Sequence, residues 1–155
     1  MWIRALGLLA AVAVLAGLPA AHGQAKRSDS YVKMSAVAEK ADATGVQAVT
    51  VTLDVEKDWY IYANPINNKD LESTQTVVKF VAKQPVEVVS LTYPPGKVKM
   101  DAVVGDYAIY QGKVQVKAKV KRAAGDTSPL EASIFLQTCS EKGCLLPATV
   151  KVPVQ

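Results

Sequence analysis

Cys139 and Cys144 are the only two cysteines in the chain, and four residues separate them in the run CSEKGC. A pair this close has two chemistries. It can close a local disulfide that stiffens one turn, or it can act as a dithiol that trades electrons through thiolate attack on a disulfide sulfur. In the chain-entropy model a closed loop of about six residues yields roughly 2 kcal/mol, against about 4.7 kcal/mol for a hundred-residue loop. The bond is therefore a poor staple for a whole domain, although it can still fix a tip. Exchange needs an accessible sulfur. Lys142 favours a nearby thiolate, Glu141 opposes it, Gly143 permits a sharp turn, and Leu145-Leu146-Pro147 adds an apolar flank. From the spacing alone, staple and exchange pair both stay open.

Other chemistries are poorly supplied. Met1-Trp2-Ile3-Arg4 is followed by the apolar run Ala5–Leu18, then Pro19 and the small-residue pattern Ala21-His22-Gly23. That is the grammar of a secretory signal peptide, and the run is shorter than the roughly 20 residues a spanning helix needs. Cleavage near Gly23 predicts a periplasmic or secreted protein whose only link to the membrane is the signal peptide. In that compartment paired thiols are expected to be oxidised. It also removes His22, the one histidine. Ser–His and Cys–His catalysis are thereby excluded, as are ordinary zinc sites. No paired-carboxylate motif stands out, and Met34 and Met100 are the only spare soft ligands of the mature chain. No metal and no cofactor is expected. The net charge of +4 is spread along the chain rather than clustered with aromatics, which argues against nucleic acid.

The elements that must position the cysteines are strands. The stretch 24–45 is polar at its start and reads as a flexible leader. From Val46 the texture changes. Val49, Val51, Leu53 and Val55 alternate with Thr50, Thr52 and Asp54, the period of a half-buried strand. WYIYA (59–63), TVVKFVA (76–82), VEVVSLTY (86–93) and Tyr107–Tyr110 read as further strands, with a turn at YPPGK (93–97). After Gln111-Gly112 a long strand sets Val114, Val116, Ala118 and Val120 inward. Lys113, Gln115, Lys117, Lys119 and Lys121 face outward, a solvated face that discourages edge aggregation. LEASIFLQTC and ATVKVPV close the set, with the cysteines at a hairpin tip between them. Short strands, regular turns and no amphipathic helix predict an all-β sandwich in a single domain over 46–155.

Four blocks in order, DWYIYANP, YPPGK, GDYAIYQGKVQV and QTCSEKGCLLPATVKVPV, make the chain resemble the N-terminal periplasmic domain of the thiol:disulfide interchange protein DsbD. The resemblance implies an immunoglobulin-like β-sandwich whose cysteines cycle between dithiol and disulfide. Electrons would come from a thioredoxin-like donor, here on a separate chain, and pass to a periplasmic disulfide-bonded client or relay protein. It further implies that Cys144 forms mixed disulfides and Cys139 resolves them. Tyr60 and Tyr62 would line the site, and Asp101 would begin a loop that caps the cysteines. In that loop, MDAVVG, this chain carries Val103 and Val104 where the family has aromatics, so a smaller cap is expected. The cysteine spacing is also one residue shorter than in the best-known members. The competing reading is a non-catalytic immunoglobulin-like binding or structural module whose short disulfide merely fixes a loop.

Overall fold

The alternation from Val46 onward is realised as paired strands in the computed structural model, which describes residues 26–155. In chain order the strands are β1 (Val32–Ala38), β2 (Val46–Val55), β3 (Tyr60–Tyr62), β4 (Val77–Val81), β5 (Val86–Thr92) and β6 (Lys97–Lys99). They continue with β7 (Tyr107–Tyr110), β8 (Lys113–Arg122), β9 (Glu131–Leu136), β10 (Thr138–Ser140), β11 (Gly143–Cys144) and β12 (Ala148–Pro153). They pair antiparallel in three sheets, ordered β1-β2-β8-β5, β12-β9-β4 and β11-β10-β3-β7-β6. The result is the immunoglobulin-like β-sandwich expected.

The main core is drawn from all three sheets. Val49, Val51, Leu53 and Val55 of β2 and Val116, Ala118 and Val120 of β8 meet Ala132, Ile134 and Leu136 of β9, with Ile61 of β3 and Tyr110 of β7. The lysine side of β8 is exposed along its length, as the period-two pattern requires. Tyr110 is fully packed yet polar-satisfied. Its hydroxyl accepts from the Asn64 N–H (3.2 Å) and donates to the Pro94 carbonyl (2.8 Å), so the YPPGK turn is bolted to the core by one phenol.

Within the stretch 24–45 expected as a flexible leader, the described residues 26–45 are built into the sandwich. Ser28–Tyr31 forms a 3-10 turn, and β1 pairs in register with β2 from Val32↔Val55 to Ala38↔Val49. Val32 and Ala36 are buried, and Tyr31 stacks on Trp59 with ring centroids 3.9 Å apart. The polar look of the sequence misleads because β1 is an edge strand with Lys33, Ser35 and Val37 on its outer side. Residues 39–45 then make the hairpin loop to β2, where the Asp42 carboxylate accepts from the Thr44 and Val46 N–H groups. Residues 1–23, expected to be a signal peptide and including His22 and Gly23, lie outside the described residues.

In the YPPGK turn the glycine is required by proximity and not by a positive φ. A Cβ on Gly96 would lie 2.6 Å from the Ala63 Cβ and 2.8 Å from the Ala108 Cβ. Overpacking of this kind costs about 1–3 kcal/mol because backbone must shift. Gly96→Ala is therefore expected to destabilise the fold by that amount, read as a lower urea midpoint at unchanged m-value, with β6 displaced. A midpoint equal to the parent's would show that Ala63 and Ala108 yield freely.

Candidate functional site

β3 and β7 have two working faces. Ile61, Ala108 and Tyr110 point into the main core, while the residues between them, Tyr60, Tyr62, Tyr107 and Ile109, form a second apolar cluster with Ile66 and Cys139. Strand alternation alone accomplishes this division. The aromatic cluster is a floor, and the cysteine hairpin adjoins it through the pairing of β10 with β3, Thr138↔Ile61 and Cys139↔Tyr60.

The hairpin is tight. β10 and β11 pair Cys139↔Cys144 and Ser140↔Gly143 around the two-residue turn Glu141-Lys142, and Gly143 takes φ +131°, a backbone conformation that suits glycine. Cys139 and Cys144 form a disulfide between directly opposed residues with Cα atoms 4.0 Å apart. Its two sulfurs live in different surroundings. Cys139 is 0% exposed, locked against the tyrosine floor, whereas Cys144 is exposed. The Tyr62 hydroxyl lies 3.6 Å from the Cys144 sulfur. A disulfide sulfur carries no proton, so the phenol is the donor in this state.

The base of the hairpin is held from below by the N-terminal turn. Ser28 is buried; its hydroxyl donates to the Leu146 carbonyl (2.7 Å) and accepts from the Thr138 N–H (2.9 Å). Thr138 returns a bond from its own hydroxyl to the Ser28 carbonyl (2.9 Å). Gln137 donates its side-chain amide to the Leu145 carbonyl at 3.0 Å. Each strand that carries a cysteine is thus fixed one or two residues from its sulfur.

The floor is poor at holding negative charge. Burial, then the hydrogen bond to Tyr107 (3.3 Å between hydroxyls), pushes the Tyr60 phenol far above its ordinary range. Burial raises Tyr62 as well, with the neighbouring Tyr107 and Asp101 adding to it. Asp101 spends its carboxylate on its own loop, accepting from the Val103 N–H (2.8 Å) and Val104 N–H (3.1 Å), and those bonds hold it below the usual carboxylate range. Asn68 pins the same loop by donating to the Val104 carbonyl at 2.9 Å.

Of the residues singled out in the sequence, the structure gathers Cys139, Cys144, Tyr60 and Tyr62 and sets Asp101 close enough to act on Tyr62. Val103 is different. It is 91% exposed, so its side chain packs on nothing and covers neither sulfur. Sequence reasoning missed Tyr107, Lys99 and Ser28. The alternation Tyr107–Ile109 opposite Tyr60–Tyr62 was a usable sign for the first; nothing local marked the other two. Among the described residues no group of three or more His, Cys, Asp or Glu side chains is placed to hold a metal ion. No helix among them is long and apolar enough to cross a membrane.

Residues 29–155 match the family model described as thiol:disulfide interchange protein DsbD, N-terminal. The chain is similar in fold to the reduced DsbD N-terminal domain of Neisseria meningitidis, with a TM-score of 0.53 and 18% identity, covering 84% of this chain and 89% of that one. It is similar also to the N-terminal periplasmic domain of ScsB from Proteus mirabilis, with a TM-score of 0.56 and 18% identity, covering 79% of this chain and 46% of that one. No curated protein matches the chain in sequence.

Two outcomes follow from this geometry. After reduction, iodoacetamide should modify Cys144 at least about tenfold faster than Cys139, as mass spectrometry of timed quenches would read, because a thiolate reacts only where reagent reaches it. Equal rates would mean that the floor opens on reduction. In alkali the phenols of the unfolded chain ionise near pH 10 while Tyr60 and Tyr62 stay protonated in the fold, so the folded state holds more protons. Stability is therefore unaffected by these groups below about pH 10 and falls as pH rises beyond it. Tyr60→Phe should lessen that alkaline loss in urea titrations, and an unchanged pH slope would contradict it.

Proposed function

The chain belongs to the family of DsbD N-terminal domains, which take part in thiol–disulfide exchange with partner proteins, and from that premise we propose that Cys139–Cys144 is its redox-active pair. The observation that carries the reading is the asymmetry of one bond, with one sulfur exposed and the other at 0% exposure. Such a bond offers a single point of attack.

In the reducing half-cycle a thiolate of a thioredoxin-like donor attacks the Cys144 sulfur. The intramolecular S–S bond breaks, a mixed disulfide forms, and Cys139 leaves with the electron pair and takes up a proton. The donor's second thiol then resolves the mixed disulfide and releases Cys144. Two electrons and two protons reach the domain, and the donor is left oxidised. In the other half-cycle the Cys144 thiolate attacks the disulfide of a periplasmic client or relay protein, and Cys139 resolves that intermediate. Tyr62 gives the Cys144 sulfur a hydrogen-bond donor, which steadies its thiolate when that sulfur is released from the mixed disulfide. Asp101 acts at one remove, through the loop that it ties and the field it exerts on Tyr62. Val103 lies at the crest of that loop as a contact for an arriving partner.

The wider setting belongs to the same proposal. Residues 1–23 serve as an export signal cut near Gly23, the domain works outside the cytoplasm as the periplasmic ScsB domain does, and its folded unit starts at Ser28.

The test is a redox titration of the oxidised protein against thioredoxin and glutathione couples. Exchange with thioredoxin and a midpoint above about −300 mV are expected; a lower midpoint with no reaction is the behaviour of a structural disulfide. Cys139→Ser should trap a thioredoxin-like protein through Cys144, and Cys144→Ser should trap none. A Cys144→Ser protein that traps as well as Cys139→Ser would overturn the assignment of roles.

A further inference from the structure

β6 and β11 occupy opposite edges of the five-stranded sheet, with β10, β3 and β7 between them. Lys99 of β6 nevertheless reaches the turn that joins β10 to β11. Its ammonium lies 2.8 Å from a carboxylate oxygen of Glu141 and 5.2 Å from the centre of the Tyr60 ring. The sheet is curled enough for one side chain to cross its face, over the tyrosine floor.

An ion pair of this exposure contributes little to folding, since the Lys99 side chain is 26% exposed and that of Glu141 85%. Its location makes charge the more consequential property. The charged and titratable groups carried around Cys144 are Glu141 and Lys142 in the turn, Lys99 on β6 and Asp101 on the following loop. The phenols of Tyr60, Tyr62 and Tyr107 line the floor, and Arg27, paired with Asp29, bridges to Leu146 at the base of the hairpin. The carboxylates of Glu141 and Asp101 oppose a thiolate there, whereas the protonated Tyr62 offers it a hydrogen bond. Lys99 is the cation tied into that floor, and its hydrogen bond to Glu141 keeps it charged to higher pH than an ordinary lysine.

We propose that Lys99 is a positioning residue for exchange, a strap that fixes the Glu141 carboxylate and offsets its charge, so that the Cys144 thiolate forms near neutral pH. The proposal rests on the reading of Cys139–Cys144 as an exchanging pair and identifies what keeps that pair reactive beside the Glu141 carboxylate. Lys142, exposed in the same turn, has no carboxylate partner among the described residues and does not cross the floor.

The experiment follows Cys144 alkylation against pH in the Cys139→Ser protein. Lys99→Gln should move the midpoint of the rate profile upward and slow the reaction at pH 7 roughly twofold, the scale of a single charge removed at about 10 Å in a water-rich setting. Glu141→Gln should move the midpoint downward. The double variant should return close to the parent, and Lys99→Arg should keep the parent profile. Opposite shifts mark a charge effect, because a loosened hairpin would move both single variants the same way. Shifts in one direction, or none, overturn the proposal. Reduction of the unsubstituted protein by thioredoxin is measured alongside. A bond that thioredoxin cannot open, together with opposite shifts, would sink the exchange reading and leave the charge assignment to Lys99 standing.

Discussion

Everything at the cysteine end depends on the two-sided use of β3 and β7. Ile61 and Tyr110 are anchored in the main core, and the pleat then forces Tyr60, Tyr62 and Tyr107 to the other side. A slip of one residue would exchange the two sets and put three phenols into the aliphatic core, so the register is strongly specified. The disulfide inherits that rigidity. Cys139 pairs with Tyr60, and the pairing fixes the buried sulfur against an aromatic surface that the core has already placed. In the exchange proposed above the bond opens and closes, and the sheet beneath it is the fixed reference.

The same division explains how a weak staple sits in a stable fold. The hairpin gains little from its own short loop. Its base is held instead by bonds from Ser28 to Thr138 and Leu146, none of which involves a sulfur. Opening the disulfide therefore need not loosen the strands that carry it. A domain that passes electrons benefits from two oxidation states of nearly the same shape, because the partner then meets one surface in both.

Legibility in the sequence followed the physics of each segment. β2 and β8 were plain because both sides of the alternation are chemically pure, valine and leucine against threonine and lysine. The edge strand β1 was missed because only Val32 and Ala36 of it are buried, while Lys33 and Ser35 on its outer side are exposed. β6, three residues long, and the 3-10 turn at Lys69–Thr74 have too few residues to display a period. The resemblance of four sequence blocks reached the cysteines, Tyr60 and Tyr62, since each sits in a block with its own pattern. It named Val103 by position in a loop, yet a loop position does not determine where a side chain points. Lys99 and Ser28 act through contacts 42 and 110 residues away, which no local pattern encodes.

The placement of the chain ends follows from β1. At its start, Arg27 bridges to Leu146 beside the cysteine hairpin; at its finish, Gln155 exchanges backbone hydrogen bonds with Ala36 and Ala38. Arg27 thus lies at the sulfur pole, and Gln155 lies at the other end of β1. A tether at the carboxyl end would present the hairpin outward like a lamp on a stalk, whereas cargo fused at the amino end would sit in the doorway through which a partner's thiol has to pass.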